Sequence, residues 1–158
     1  MEAQEKVKPT LKNVLLAQMR NTHTNEDWFV PVNIAVKDLT PEQAQWTDGK
    51  GNHSIGQLVS HLAFWNRNQL AKFKGEKPEE FSGNNDETFT SYTKESWTAL
   101  TAKLNKVLSD WEKAIESADE KKLEEWYGTI ASLSTHNAYH TGQIVVVRKA
   151  QGSWKPIK

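Results

Sequence analysis

Trp97-Thr98-Ala99-Leu100-Thr101-Ala102-Lys103-Leu104-Asn105-Lys106-Val107-Leu108-Ser109-Asp110-Trp111-Glu112-Lys113-Ala114-Ile115 is the stretch that decides the fold class. Trp97, Leu100, Leu104, Val107, Leu108, Trp111 and Ile115 recur every three or four residues, the spacing that lines one face of an α-helix. Lysines and acids fill the opposite face, as water requires. A strand would alternate every second residue, and this segment does not.

Three more stretches carry the same period. Residues 7–24 place Val7, Leu11, Val14, Leu15 and Gln18 on one stripe. A second helix opens at Ser54, where Ser54 and Gln57 form a capping-box pattern just before Leu58, Val59 and Leu62. It is expected to end near Lys74, ahead of Gly75 and Pro78. The last spans residues 129–150, with Arg148 and Lys149 at the negative end of the helix dipole and Gly152 as a C-cap.

Two long links separate these helices. Residues 25–53 hold a short helical start at Thr40-Pro41-Glu42 and a turn at Asp48-Gly49-Lys50-Gly51. Residues 75–88 are polar and read as an exposed loop. No strand pattern or internal repeat appears. The expectation is an all-α protein, a four-helix bundle with long crossover connections, forming a single domain over residues 1–158.

Composition narrows the function. The chain has 158 residues, enough for one core, with 20 basic and 20 acidic side chains. That balance, with no basic block, excludes a nucleic-acid footprint. No apolar run reaches transmembrane length, so no membrane association is expected. Residues 1–6 lack the apolar core of a signal peptide, so a cytoplasmic location is the expectation. Cysteine is absent, which leaves histidine, carboxylate and water as metal ligands. The seven tryptophans are core or pocket material. Trp46, Trp126 and Trp154 fall outside the clear stripes and are interface candidates.

His136 and His140 stand one turn apart in the last helix, so their rings leave one face. With Leu133, Gln143 and Val147 they follow the spacing of a core-facing stripe. His61 flanks the apolar stripe of the second helix, between Leu58 and Trp65. Each buried imidazole without partners costs about 1–3 kcal/mol. A divalent metal ion satisfies three rings at once, and a hydrogen-bonded polar cluster is the alternative. Position 137 is Asn, not the Glu of the metalloprotease helix motif, so peptide hydrolysis by that route is disfavoured.

The chain resembles the DinB-like superfamily in two motifs: Ser54-Ile55-Gly56-Gln57-Leu58-Val59-Ser60-His61-Leu62, and His136-x-x-x-His140-x-Gly142-Gln143-Ile144. The order of elements fits over nearly the whole chain. The resemblance implies a four-helix bundle, often a homodimer, with a divalent metal held by three histidines that map to His61, His136 and His140. It also implies chemistry of the kind its relatives perform, such as metal-dependent transfer of a low-molecular-weight thiol to an electrophile, or maleylpyruvate isomerisation.

The expected function is therefore a metal-dependent enzyme that activates a thiol or water for attack on a small electrophile. Zinc and nickel are both compatible with imidazole ligands. The partners expected are a small-molecule substrate and a low-molecular-weight thiol. A metal-dependent hydrolase, and a metal-binding, stress-associated protein without turnover, are the alternatives. No general base or other catalytic residue is legible.

Several neighbours carry weaker signals. Gln143 is a candidate to orient a ligand histidine, a water or the substrate. Tyr139 reads as packing, and His53 as exposed beside the glycine-rich turn. His23 answers the dipole at the end of the first helix or rims a pocket. Trp65 and Asn66 stand one turn beyond His61, and Trp65 reads as core, or else as a cavity wall. Arg148 reads as a surface or C-terminal residue ahead of an anion contact. Trp28 and Phe29, in the first crossover, are candidates to close over an open metal position.

Overall fold

A computed structural model describes residues 8–90 and 94–155. Its long helices are α1 (Leu11–His23), α4 (Ile55–Lys74), α5 (Lys94–Ser117) and α6 (Glu120–Ala150). Two short helices, α2 (Val32–Ala35) and α3 (Pro41–Gln45), lie in the first crossover, and a 3₁₀ turn, Asn85–Thr88, lies in the second. No strand occurs among the described residues. The four long helices close a ring: α1 packs on α5 and α6, and α4 packs on the same two from the other side. Only Ala118 and Asp119 separate α5 from α6, yet these two stand across the bundle from each other.

The local start signals hold. Ser54 accepts from Gln57 N while the Gln57 side chain accepts from Ser54 N, at 3.2 and 2.9 Å. Thr40 and Gln43 make the same reciprocal pair ahead of α3. Gly75 ends α4 in the left-handed conformation, at φ 73°, which costs glycine nothing.

Two boundaries differ from the sequence reading. Helix α1 starts at Leu11, because Thr10 caps it by accepting from Asn13 N. Val7, read as the first residue of the stripe, lies outside the described residues. Helix α6 begins at Glu120, nine residues before position 129. Asp119 caps it, and Leu123 buries itself on this added length, so the helix runs on through Gly128.

The buried faces of α1 and α6 are also rotated from the predicted ones. On α1, Leu15, Leu16, Met19, Thr22 and His23 are buried, while Val14 and Gln18 are exposed. His23 does not merely answer a dipole: its Nδ1 lies 2.6 Å from Glu112 Oε1 and its Nε2 lies 2.7 Å from Asn105 Oδ1, both on α5. Those partners make its burial tolerable. On α6 the inner stripe from Ile130 onward is Ile130, Leu133, Ser134, Asn137, His140, Thr141, Ile144 and Arg148, so Leu133 and His140 face inward as read. His136, Gln143 and Val147 sit at its half-buried edge.

Arg148 is buried rather than a surface residue. Its guanidinium donates to the carbonyls of Ala35, Lys37 and Ser153 at 2.9–3.1 Å, clasping the first crossover to the chain beyond α6. The core centres on Trp111, which is fully buried and donates its indole N–H to Asn66 O on α4. Trp126 packs edge-on to Phe73 and Trp154 lies under Arg148, each half-buried. The most exposed tryptophan is Trp28, at 95 %.

Candidate metal centre

Helix α4 runs antiparallel to α6, so His61 meets His140 and His136 while Phe73 meets Trp126 farther along. A buried amide pair sets this register. Asn66 Nδ2 donates to Asn137 Oδ1 at 2.7 Å, and Asn137 Nδ2 returns a bond to Asn66 Oδ1 at 3.2 Å. Both side chains are essentially excluded from water. The Asn137 carbonyl also accepts from Thr141, and Asn66 Nδ2 from α4 reaches Leu62 O as well.

Three imidazoles converge beside this pair. The Nε2 of His136 lies 3.0 Å from the Nε2 of His61 and 3.0 Å from the Nε2 of His140. The opposite nitrogens reveal the tautomers. Thr88 Oγ1 donates to Asn85 O at 2.6 Å, so toward His61 Nδ1, 2.5 Å away, it accepts. Gln143 presents its carbonyl oxygen to His140 Nδ1 at 2.6 Å and accepts there too. Both rings therefore carry their proton on Nδ1, and both Nε2 lone pairs face His136.

A proton on His136 Nε2 would serve one of those lone pairs and leave the other facing it unsatisfied. His136 Nδ1 is buried and has no hydrogen-bond partner. A cation at the meeting point accepts all three Nε2 lone pairs, and neutral imidazole is the form that binds a transition metal. The donor set fits a divalent ion, and no carboxylate joins this cluster among the described residues.

Burial favours the neutral rings. Desolvation, then the neighbouring imidazoles, pushes His61 down to about 3. The same causes push His136 down to about 4. His140 is lowered by burial, with the bond to Gln143 acting in the opposite direction.

A pH dependence follows. The unfolded chain takes up protons on these rings below about pH 6.5, whereas the folded one resists until far more acid. The folded state thus binds fewer protons between about pH 6.5 and 4, and its stability falls as the pH drops through that window. In metal-free protein the urea midpoint is expected to decline from pH 6.5 to 4.5, and more steeply than in His136→Gln. Equal slopes in the two proteins would contradict this account.

The rings open onto a cavity of about 660 Å³. Its walls include Trp65 and Gln69 of α4, Gly128, Ser132 and Leu133 of α6, and Phe89. Phe89 stacks on His61 at 4.0 Å between ring centroids, and His53 stacks on the other face of Phe89 at 3.9 Å. His53 is exposed, as expected, and is one ring removed from the cluster. A second cavity of about 570 Å³ is lined by Trp46, His53, Tyr139 and Gln143 and touches none of the three histidines.

Several neighbours depart from their sequence reading. Trp65 is a half-buried cavity wall, not core, held by an indole N–H bond to Asn85 Oδ1 at 3.1 Å. Asn66, beside it in sequence, belongs to the amide pair. Tyr139 is 64 % exposed, with its ring edge toward His140 and its hydroxyl at 3.5 Å from Gln143 Nε2. Trp28 and Phe29 do not line the cavity, whereas Phe89 does.

Thr88, Phe89 and Asn85 come from the polar second crossover, which is not merely an exposed loop. Its one signal in the sequence is the Thr88-Phe89 pair closing a run of polar residues.

Fold and site together define a helical-bundle protein with a three-histidine centre suited to a divalent metal. A family model described as the DinB superfamily matches residues 32–146, a span that contains all three histidines and Gln143. The chain belongs to that superfamily. No curated protein and no solved structure gives a significant match to it. No described helix is long and apolar enough to cross a membrane.

Proposed function

We propose that this protein is a metal-dependent enzyme in which His61, His136 and His140 hold one divalent ion, zinc or nickel. In this reading a low-molecular-weight thiol attacks a small electrophile in the adjoining cavity. The convergence of three Nε2 atoms at the edge of that cavity is the observation that carries the reading. A bound ion supplies positive charge and an open coordination position, which bring a thiol or a water toward ionisation near pH 7.

The chain's own residues do the rest. Thr88 and Gln143 fix the tautomers of His61 and His140, which makes Gln143 a positioning residue acting through His140. Phe89 and Trp65 give the cavity aromatic walls. No described carboxylate lines it, so no general base stands ready. That favours a thiol, with an ordinary pKa of about 8.5, over water, whose proton is far harder to remove.

The test loads the protein with zinc or nickel and follows loss of a small thiol with monobromobimane as electrophile. In that reaction the sulfur–carbon bond forms, bromide leaves with its electron pair, and the thiol proton passes to solvent. An acceleration of about 10²-fold or more over metal-free protein, lost in His140→Ala, is expected. A tightly held ion without acceleration of thiol transfer or ester hydrolysis would favour a metal-binding protein without turnover. Ester hydrolysis alone would favour the hydrolase.

A further inference from the structure

We propose that the groove beside the three histidines selects a substrate whose body is uncharged and ring-bearing, and that Gly128 sets how long that body can be. This rests on the reading of the histidine cavity as the reaction site, and it adds the substrate class.

The groove is built from two rows. On α4, His61, Trp65 and Gln69 follow one another at intervals of four residues; on α6, Gly128, Ser132, His136 and His140 do the same. Residues so spaced lie along one helix face. The helices are antiparallel, so both rows start at the histidines and run in the same direction. The eight residues from His136 back to Gly128 span about 12 Å. The volume, about 660 Å³, is that of a small-molecule site.

The chemistry of the walls is uniform. Trp65 and Leu133 are apolar, while Gln69, Thr129 and Ser132 are uncharged hydrogen-bonding groups. No Lys, Arg, Asp or Glu lines the groove among the described residues. A carboxylate, phosphate or ammonium on the body of a ligand would lose water there without gaining a counter-charge. Asn85 engages the polar edge of the Trp65 indole, which leaves the ring itself as wall material for an aromatic ligand.

Gly128 closes the argument. A mid-helix glycine costs about 1 kcal/mol relative to alanine. Neither of its usual reasons applies: it has no positive φ, and an added Cβ would meet nothing within 4 Å. Its effect here is to keep the far end of the groove open.

The test uses two fluorescent probes with the same ring frame, neutral N-phenyl-1-naphthylamine and anionic 8-anilinonaphthalene-1-sulfonate. Titrations into metal-free and zinc-loaded protein are expected to favour the neutral probe by about tenfold or more. Gly128→Leu, whose side chain would fill the far end of the groove, is expected to weaken it by about tenfold. Helicity and bound zinc, measured on the variant, should match the wild type.

Equal or tighter binding of the sulfonate, no binding of either probe, or no effect of Gly128→Leu would overturn the proposal. Failure of the enzyme reading is separable, because it appears as missing zinc or missing turnover while the metal-free probe ranking stands.

Discussion

His136→Ala is expected to abolish metal retention, from about one ion per chain in the wild type to none. His136 is the ring that the other two share, with its Nε2 3.0 Å from each of theirs. Its loss leaves one ligand on α4 and one on α6, too few to hold a transition metal against buffer. Elemental analysis of protein purified without an affinity tag reads this directly.

Thermal unfolding supplies the second readout. An ion present at about 100 times its dissociation constant adds about 2.7 kcal/mol to the folded state, and at 1,000 times about 4.1. Chelation should therefore lower the unfolding temperature of the wild type and leave that of His136→Ala unchanged. The metal-free proteins should be similarly stable, because the substitution removes a half-buried ring whose Nδ1 has no partner. A wild type that binds neither zinc nor nickel, or a variant that keeps its ion, would sink the assignment.

Asn137→Leu is expected to destabilise the fold by about 1–3 kcal/mol, the cost of leaving a buried polar group unpaired. Asn66 Oδ1 then faces an alkyl group in a site that excludes water, although its Nδ2 still reaches Leu62 O. Against a total stability of about 5–15 kcal/mol this is a large fraction. The double variant Asn66→Leu/Asn137→Leu should lose less than the sum of the singles, because neither amide is left orphaned.

Metal affinity separates register from stability. The amide pair spans α4 and α6 beside the histidines, so its loss should weaken zinc binding even where the protein remains folded. Urea titrations of the four proteins with zinc withheld, and zinc titrations of each, would measure both effects. Additive stability losses with unchanged zinc affinity would mean that the pair is only a polar inclusion.

Much of this architecture was legible in the chain. The period of residues 97–115 gives α5, and the Ser54–Gln57 capping pair and the Thr40-Pro41 start place the beginnings of α4 and α3. Caps and periods are local, and neighbours in sequence create them. The spacing of His136 and His140 likewise ensures that the two rings share a face of α6. The absence of cysteine and the single Asn at position 137 narrowed the chemistry before any packing was known.

What the chain did not disclose is non-local. An apolar stripe covers well over a quarter of a helix, so it predicts burial without fixing rotation. The neighbours of α1 and α6 decided that Met19 and Asn137 face inward while Val14 and His136 sit nearer the edge. Arg148 and His23 became interior residues because distant groups answer them: the carbonyls of the crossover for one, Glu112 and Asn105 for the other.

Thr88 and Phe89 reached His61 across 27 and 28 positions through a loop whose composition says only that it is polar. By itself, then, the sequence determined four helices, their caps and the imidazoles available to a metal. Tertiary packing alone decided that those imidazoles meet, which protons they carry and what lines the groove beside them, because each depends on contacts between segments far apart in the chain.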